Sequence, residues 1–425
     1  MSSNFIKKLI PEYRRIIENI FSLTTVQGAN YILPLITFPY LVRILGPEKF
    51  GLLAFANAFV AYFNTIVDYG FVHTGPRRVA VNWGDKKKTS VIFNSIMAVK
   101  LGLFLVAIIV FGILVFTISK FKTHYPVFLL TFPIILGNAL FPIWFFQGVE
   151  RMRYITLLSI SGKLLTVIAI FILIKREDEY LLVPSINSIG SLVTGVASLI
   201  LINKVYGPIF SKPSYESIIE ELNEGWLLFL SMSMNGIYYA STTFILGIFT
   251  SNIVVGYYKT GETIIRAITS LFNPISQALY PFISRIAKTS RNRALKIVSV
   301  STLFVGIVSL VLSVLLFLFA RDIVALVLGP KYIQTIIIIQ SLSPLVMFTS
   351  VSGLLGVNGL LAFNLNKVFL QFVSLISGAT ILLSLILAPI FYQFGISLAL
   401  LTAEAFGSII LIFYMYRMIY GTPKI

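Results

Sequence analysis

The chain has 425 residues, of which 57% are hydrophobic and only 12% are charged, and its formal net charge is +17. A soluble protein carries about 25% charged residues, so most of this surface must face lipid instead of water. With no cysteine and two histidines in the sequence, disulfides and thiolate metal sites are excluded, and little is left for other metal chemistry.

Apolar runs long enough to cross about 30 Å of hydrocarbon follow one another along the whole chain. The predicted spans are 18–44, 50–72, 89–118, 125–148, 154–174, 180–203, 222–248, 253–282, 295–320, 333–360, 367–389 and 393–419. The runs are continuous and do not alternate with polar residues, which favours helices over strands. We therefore predict an all-α membrane protein of about twelve transmembrane helices.

The short polar segments between the spans predict the domain organisation. Residues 1–17 are basic and amphipathic, which indicates a cytoplasmic surface helix in place of a cleaved signal peptide. The predicted domains are this N-terminal segment (1–17), an N-lobe of six spans (18–203), a cytoplasmic inter-lobe linker (204–221) and a C-lobe of six spans (222–425). The tripeptide Ile-Leu-Gly occurs at residues 44–46 and again at residues 245–247, and this short internal repeat favours two pseudo-symmetric halves.

Lysine and arginine residues predict the orientation in the membrane. With the N-terminus inside, 21 of them fall on inner segments and 8 on outer segments. The positive-inside rule then predicts that both termini are cytoplasmic. Contact between the inner basic segments and membrane lipids also explains much of the net charge, so nucleic acid is not needed as a partner.

Several ionisable side chains fall inside the predicted spans. They are Asp68, Lys100, Lys163, Lys259, Glu262, Arg266 and Glu404. Each costs at least about 2.5–3.5 kcal/mol at mid-membrane, so such residues usually face a partner, the bundle interior or a water-filled path. Spacings of three and four residues let Glu262 reach both Lys259 and Arg266 on one helical face. This trio is either a self-neutralising structural network or a cationic wall of a cavity.

The balance of these charges predicts the kind of ligand. The candidate substrate-binding cations are Arg43, Lys100, Lys163, Lys259 and Arg266, and the candidate ion-coupling acids are Asp68, Glu262 and Glu404. Five cations against three acids favour an anionic substrate such as phosphate or pyrophosphate. Glu404 is either a protonatable site that binds H⁺ or Na⁺ or a counter-ion for a buried lysine. We expect no catalytic residue, metal or cofactor.

Three consecutive aromatic residues precede the basic inner loop that begins at Glu150. They are Trp144, Phe145 and Phe146. Their place at the end of a span favours an interfacial aromatic belt over stacking on a sugar.

Five segments carry a resemblance to a known family. They are LVRILGPEKFGLLAFANAF (41–59), DYGFVHTGPRRVA (68–80), FPIWFFQGVERMRYI (141–155), GETIIRAITSLFNPISQALYPFISR (261–285) and LVLGPKYIQTIIIIQSLSPLV (326–346). In these segments the chain resembles the Wzx-type polysaccharide flippases of the multidrug/oligosaccharidyl-lipid/polysaccharide (MOP) exporter superfamily. Of the candidate residues, Arg43, Asp68, Glu262 and Arg266 stand inside the matched segments.

The resemblance implies a MATE-like fold of two six-helix lobes with a cationic cavity between them. It implies translocation of undecaprenyl-pyrophosphate-linked oligosaccharide, such as O-antigen repeat units, across the bacterial inner membrane, coupled to H⁺ or Na⁺. A polysaccharide polymerase and a chain-length regulator are the further partners it implies. Lys100, Lys163 and Glu404 lie outside the matched segments, so their roles depend on the burial argument alone.

Two other functions are compatible with a membrane protein of this size. A cation-coupled drug exporter of the same superfamily would favour cationic substrates and an acidic cavity, which the excess of lysine and arginine disfavours. A membrane polysaccharide polymerase or glycosyltransferase would be expected to have a large outer loop, whereas every predicted outer connection here is short.

Overall fold

The computed structural model describes the backbone of residues 2–207 and 211–420 and most side chains from residue 18 onward. These residues form helices joined by short turns, and no strand occurs among them. Three segments lie outside the described part of the chain: residue 1, residues 208–210 and residues 421–425. They belong, in that order, to the predicted N-terminal segment, the predicted linker and the predicted C-lobe.

Contacts divide the chain into two compact units. Unit 1 comprises Met1–Leu45 and Ala56–Ile237, and unit 2 comprises Gly46–Phe55 and Tyr238–Ile425. One short stretch of the first helix therefore packs with unit 2, and the helix that begins at Tyr215 contributes to both units. The lobe boundaries derived from the sequence stay a prediction.

Unit 1 is built from the helices at the start of the chain. They are α1 (Ser2–Asp68), α2 (Phe71–Asn82), α3 (Lys86–Thr117), α4 (Ser119–Lys122), α5 (Tyr125–Thr131), α6 (Ile134–Leu140), α7 (Ile143–Gly148), α8 (Met152–Leu173), α9 (Leu182–Tyr206) and the first part of α10 (Tyr215–Phe249). The short helix α7 packs closely on α2: a Cβ on Gly75 would lie 2.8 Å from Trp144 Cε3, and one on Gly148 would lie 2.6 Å from Val79 Cβ.

The aromatic belt predicted at residues 144–146 is wrong. Trp144, Phe145 and Phe146 are each at most 1% exposed and belong to the apolar core of unit 1. Phe145 packs edge-to-face on Phe93, with ring centroids 5.3 Å apart. Large aromatic rings bury more apolar area in such a core than at an interface, and close glycine contacts of the kind seen at Gly75 make room for them.

Unit 2 is built from the remaining helices. They are the second part of α10, α11 (Asn252–Ser270), α12 (Asn273–Thr289), α13 (Arg291–Leu318), α14 (Ala320–Ile323), α15 (Thr335–Leu342), α16 (Leu345–Leu354) and α17 (Asn366–Tyr420). Wider π-helical turns follow α14 at Val324–Leu328 and α16 at Leu355–Leu360. The part of α1 that belongs to this unit lies against α11, where a Cβ on Gly51 would be only 1.8 Å from the carbonyl oxygen of Asn252.

Several helical stretches are long and apolar enough to cross a membrane. Eight such stretches occur among the described residues, and two of them, Phe21–Asn82 and Asn366–Ile419, are 62 and 54 residues long. Each of these two has a residue with positive φ near the predicted gap between two spans, at Gly46 (68°) and Tyr392 (52°). The first stretch also has positive φ at Tyr69 and Gly70, where α1 ends. Apolar side chains such as Ile109 are 64% exposed, as expected for a surface that contacts lipid.

Proline residues divide several spans that the sequence predicts as single helices. The predicted span 253–282 is wrong in this respect: α11 ends at Ser270 and α12 begins at Asn273, one residue before Pro274. Proline lacks an N–H and disfavours helical geometry in the residue before it, so a helix tends to end there. The spans 125–148 and 333–360 break in the same way beside Pro133 and Pro344.

Candidate functional site: buried charge clusters

The first cluster lies on one face of α11 in unit 2. Lys259 Nζ donates to Glu262 Oε2 at 2.9 Å, and Arg266 Nε donates to Glu262 Oε1 at 2.7 Å. Arg266 Nη2 also lies 2.7 Å from the same oxygen. The contacts that the three- and four-residue spacings predict are therefore present. We call these three residues the α11 triad.

The α11 triad combines a fully enclosed acid with two partly accessible cations. The side chain of Glu262 is 0% exposed, whereas those of Lys259 and Arg266 are 30% and 29% exposed. The buried carboxylate fixes the orientation of both cationic groups, and two positive charges against one negative charge leave the triad with a net charge of +1. Such a group is able to attract an anion through its accessible N–H donors.

The second cluster surrounds Glu404 of α17, also in unit 2. Glu404 is 5% exposed and accepts hydrogen bonds from the Tyr238 hydroxyl at 2.6 Å and the Ser352 hydroxyl at 3.2 Å. Arg266 also exerts an electrostatic attraction on the Glu404 carboxylate. This cluster is therefore electrostatically coupled to the α11 triad through Arg266.

Tyr238 and Ser352 are functional candidates that the sequence alone does not reveal. They lie 166 and 52 residues from Glu404 in the chain, on α10 and α16. A tyrosine and a serine in apolar helices are ordinary residues, and no local spacing connects them to the acid.

In unit 1, Lys100 of α3 is neutralised by Asp68 at the end of α1. Lys100 Nζ donates to Asp68 Oδ1 at 2.8 Å. The lysine side chain is 4% exposed and the aspartate side chain is 40% exposed. Each charge thus has an opposite charge in direct contact, so the pair as a whole offers no excess positive charge.

Lys163 and Arg43, the other two predicted cations of the cavity, belong to neither unit 2 cluster. Lys163 of α8 donates a hydrogen bond to the side-chain oxygen of Asn30 in α1. Both Lys163 and Arg43 are exposed, so neither is enclosed by neighbouring helices as Lys100 is.

A third ion cluster, absent from our predictions, joins α2 to the start of α10 within unit 1. Arg78 Nη2 lies 2.8 Å from Glu220 Oε1, and Arg78 Nη1 lies 3.1 Å from Glu224 Oε2 and 3.5 Å from Glu221 Oε2. The acids follow a helical spacing that places them on one face, which the sequence does show. The partner on α2, more than 140 residues away, is set by tertiary structure alone.

The fold is that of MOP-superfamily transporters. It matches a solved inward-facing multidrug resistance MATE family transporter of that superfamily with a TM-score of 0.63 and 15% identity, over 94% of this chain and 98% of that chain. It matches the lipid II flippase MurJ in an inward closed conformation with a TM-score of 0.68 and 15% identity, over 94% of this chain and 90% of that chain. The predicted all-α, MATE-like fold class is confirmed.

Sequence comparison assigns the family. The model of the polysaccharide biosynthesis protein family matches residues 16–287. A protein of Escherichia coli (strain K12) named as an O-antigen transporter is 31% identical over 388 residues, which is 91% of this chain and 93% of that protein. A Shigella dysenteriae protein with the same name is 29% identical over 292 residues, or 68% of this chain and 73% of that protein. The chain belongs to the polysaccharide biosynthesis protein family.

This assignment confirms the resemblance to polysaccharide flippases of the MOP superfamily. It also agrees with the prediction that the chain is a membrane transporter and not an enzyme, because the relatives are named as transporters.

Proposed function

We propose that this protein translocates undecaprenyl-pyrophosphate-linked oligosaccharide across the bacterial cytoplasmic membrane by alternating access. The observation that carries the proposal is the α11 triad, a net positive group held by a fully buried acid in a polysaccharide-family transporter. The names of the relatives, O-antigen transporters, support an oligosaccharide substrate of this class.

In this proposal the triad binds the pyrophosphate of the lipid-linked substrate. Arg266 can present parallel N–H donors to phosphate oxygens, and Lys259 adds a second positive charge. Glu262 acts as a positioning residue, because it holds both cations without being accessible itself.

The test removes the charge at Arg266. Loss of a charge-assisted hydrogen bond costs about 1.5–3 kcal/mol, so Arg266→Gln should weaken binding of undecaprenyl pyrophosphate by roughly 10- to 100-fold. Arg266→Lys keeps the charge but loses the paired donors, so its affinity should lie between those of wild type and Arg266→Gln. The matched control is Lys296→Gln, which changes an exposed cation of α13 in the same unit.

Binding is measured by native mass spectrometry, with uncharged undecaprenol as the reference ligand. Transport is measured by complementation of surface polysaccharide in a deletion strain at matched protein levels. Wild-type binding and complementation by Arg266→Gln would overturn the pyrophosphate assignment.

Glu404 is the proposed coupling residue, which binds H⁺ or Na⁺ during transport. When Glu404 is ionised, the Lys259, Arg266, Glu262 and Glu404 side chains together carry no net charge, and when it is protonated or holds Na⁺ they carry +1. The occupancy of Glu404 therefore contributes to how strongly Arg266 attracts an anion, through the electrostatic coupling between them.

Flipping by purified protein in liposomes tests this coupling, with imposed H⁺ and Na⁺ gradients as separate arms. Glu404→Gln should abolish the response to the effective gradient, and Tyr238→Phe should weaken it, because the 2.6 Å hydrogen bond is lost. Asp322→Asn, an exposed acid of α14 in the same unit, should respond as wild type does. A full gradient response in Glu404→Gln would remove this residue from the coupling mechanism.

The proposed orientation places both termini and the segment near Ser290 in the cytoplasm, and the segment near Asp178 outside. Repeat units would then reach a polysaccharide polymerase and a chain-length regulator on the outer face. Because the chain has no cysteine, single-cysteine variants test this directly. A membrane-impermeant maleimide should label Asp178→Cys in intact spheroplasts and Ser290→Cys only after permeabilisation, and the reverse pattern would invert the topology.

A further inference from the structure

A cavity of about 390 Å³ lies in unit 2 where α12 ends and α13 begins. Its polar wall consists of Ser284, Lys288, Arg291 and Asn364, and its apolar wall includes Phe363 and Met418. No residue of the α11 triad, the Glu404 cluster or the Arg78 cluster lines it, so it is a separate site.

No acid among the described residues neutralises the two cations of this cavity. Lys288 and Arg291 form no ion pair within the part of the chain that the structure describes. Acids are also scarce in this part of the sequence, where Asp322 is the only acidic residue between Glu262 and Glu404. The cavity therefore concentrates positive charge, and an anion would be attracted to it.

Two further features favour an anion that accepts hydrogen bonds. The Ser284 hydroxyl oxygen is buried and has no hydrogen-bond partner among the described groups. Arg291 is the first residue of the 28-residue helix α13, whose N-terminus has no side-chain cap on its N–H groups. Buried hydroxyls and helix N-termini both gain free energy when a phosphate oxygen accepts from them.

The apolar wall distinguishes this cavity from a simple ion site. Phe363 and Met418 lie beside the polar residues, so a ligand with both a phosphate and an apolar part can contact both kinds of wall. A phospholipid has this amphipathic character, and the charged ends of membrane helices are where its headgroup lies.

We propose that this cavity binds a phosphate group, with Lys288 and Arg291 as its charged ligands and Ser284 as a hydrogen-bond donor. The group is supplied by the headgroup of an anionic phospholipid or by free inorganic phosphate. The proposal does not depend on the transported substrate, since it concerns a different set of residues from the α11 triad.

The experiment uses the full chain, purified in a neutral detergent and titrated with three probes. These are dioctanoyl phosphatidylglycerol, dioctanoyl phosphatidylcholine and inorganic phosphate, with binding followed by native mass spectrometry for the lipids and by isothermal titration calorimetry for phosphate. The test variant is Lys288→Gln/Arg291→Gln. The matched control is Arg285→Gln/Arg293→Gln, which removes two cations of the same segment that do not line the cavity.

We expect saturable binding that becomes at least about tenfold weaker in the Lys288→Gln/Arg291→Gln variant and changes less than about twofold in the control. Ser284→Ala should weaken binding by a smaller factor. If phosphatidylglycerol binds and inorganic phosphate does not compete, the source is lipid; if phosphate binds as tightly, the source is the free ion. Thermal unfolding of each variant without ligand shows whether its fold is intact.

Three results would overturn the proposal. The first is no saturable binding of either phosphatidylglycerol or phosphate. The second is equal weakening in the control variant, which would indicate diffuse surface charge. The third is equal affinity for the zwitterionic phosphatidylcholine, which would show that the cations do not select an anion. Binding that persists in Arg266→Gln would separate this site from the proposed transport function.

Discussion

The ion cluster around Arg78 should make the stability of the protein depend on pH near neutrality. Within it, Glu221 is 2% exposed, and no described group donates a hydrogen bond to its Oε2 atom. Burial raises the pKa of Glu221 from 4.5 to about 7, because the attraction of Arg78 at 3.5 Å does not offset desolvation and the nearby carboxylates of Glu220 and Glu224 oppose a further negative charge. We predict that Glu221→Gln removes this pH dependence.

The sign and size of the effect follow from linkage. Because the pKa of Glu221 is higher in the folded state, the folded protein holds this proton more tightly than the unfolded chain does between pH 4.5 and about 7. The free energy of unfolding therefore falls as the pH rises through that window, by about 3 kcal/mol in total, and the loss is complete above about pH 7. The Glu221→Gln variant should match wild type near pH 5 and exceed its stability by up to about 3 kcal/mol at pH 8.

Thermal unfolding in detergent at several values between pH 5 and pH 8 measures this difference. A change of that size corresponds to roughly 3–4 °C in Tm at pH 8 for a chain of this length. Arg78 keeps its contacts with Glu220 and Glu224 in the variant, so the ion pairs between α2 and α10 persist. Glu216→Gln, the same substitution at an exposed position of α10, is the control and should leave the pH profile unchanged. Parallel profiles for Glu221→Gln and wild type would refute the reasoning.

Two further predictions concern stability and use the same unfolding assay. Asp68→Asn leaves the buried Lys100 ammonium without its carboxylate and should cost about 3 kcal/mol, while Asp68→Asn/Lys100→Met should recover most of that loss; an equally unstable double variant would contradict this. Gly256→Ala would place a Cβ 1.9 Å from the Pro47 carbonyl oxygen and should cost at least about 2 kcal/mol, whereas Gly353→Ala meets open space and should be neutral or slightly stabilising. Equal effects of the two alanines would show that the close approach is absent.

Local patterns in the sequence predict those structural features that depend only on residues close together in the chain. Long apolar runs indicate the membrane helices, because each helix must satisfy its own backbone hydrogen bonds in lipid. The contacts of Glu262 follow from helical periodicity alone, since both partners lie within one turn of it. The resemblance in five short segments was sufficient to predict the family.

Contacts between distant helices could not be predicted in this way. The Glu404–Tyr238 hydrogen bond and the Arg78–Glu220 ion pair join residues separated by 166 and 142 positions. Nothing in either local segment identifies its partner, and an apolar helix offers many equivalent faces. The aromatic residue Trp144 shows the same limit, because an apolar residue beside a basic loop fits a buried core and a membrane interface equally well.

The net charge of each cluster, and not the number of buried cations, should decide which residues matter for transport. The sequence counts Lys100 with Lys259 and Arg266, yet Lys100 forms a neutral pair with Asp68, whereas the α11 triad retains an excess positive charge. We therefore expect Asp68→Asn/Lys100→Met to support surface polysaccharide assembly in a deletion strain, at matched protein levels, when Arg266→Gln does not. Failure of the neutral-pair variant, despite normal thermal stability, would show that Lys100 acts on the substrate as an individual charge.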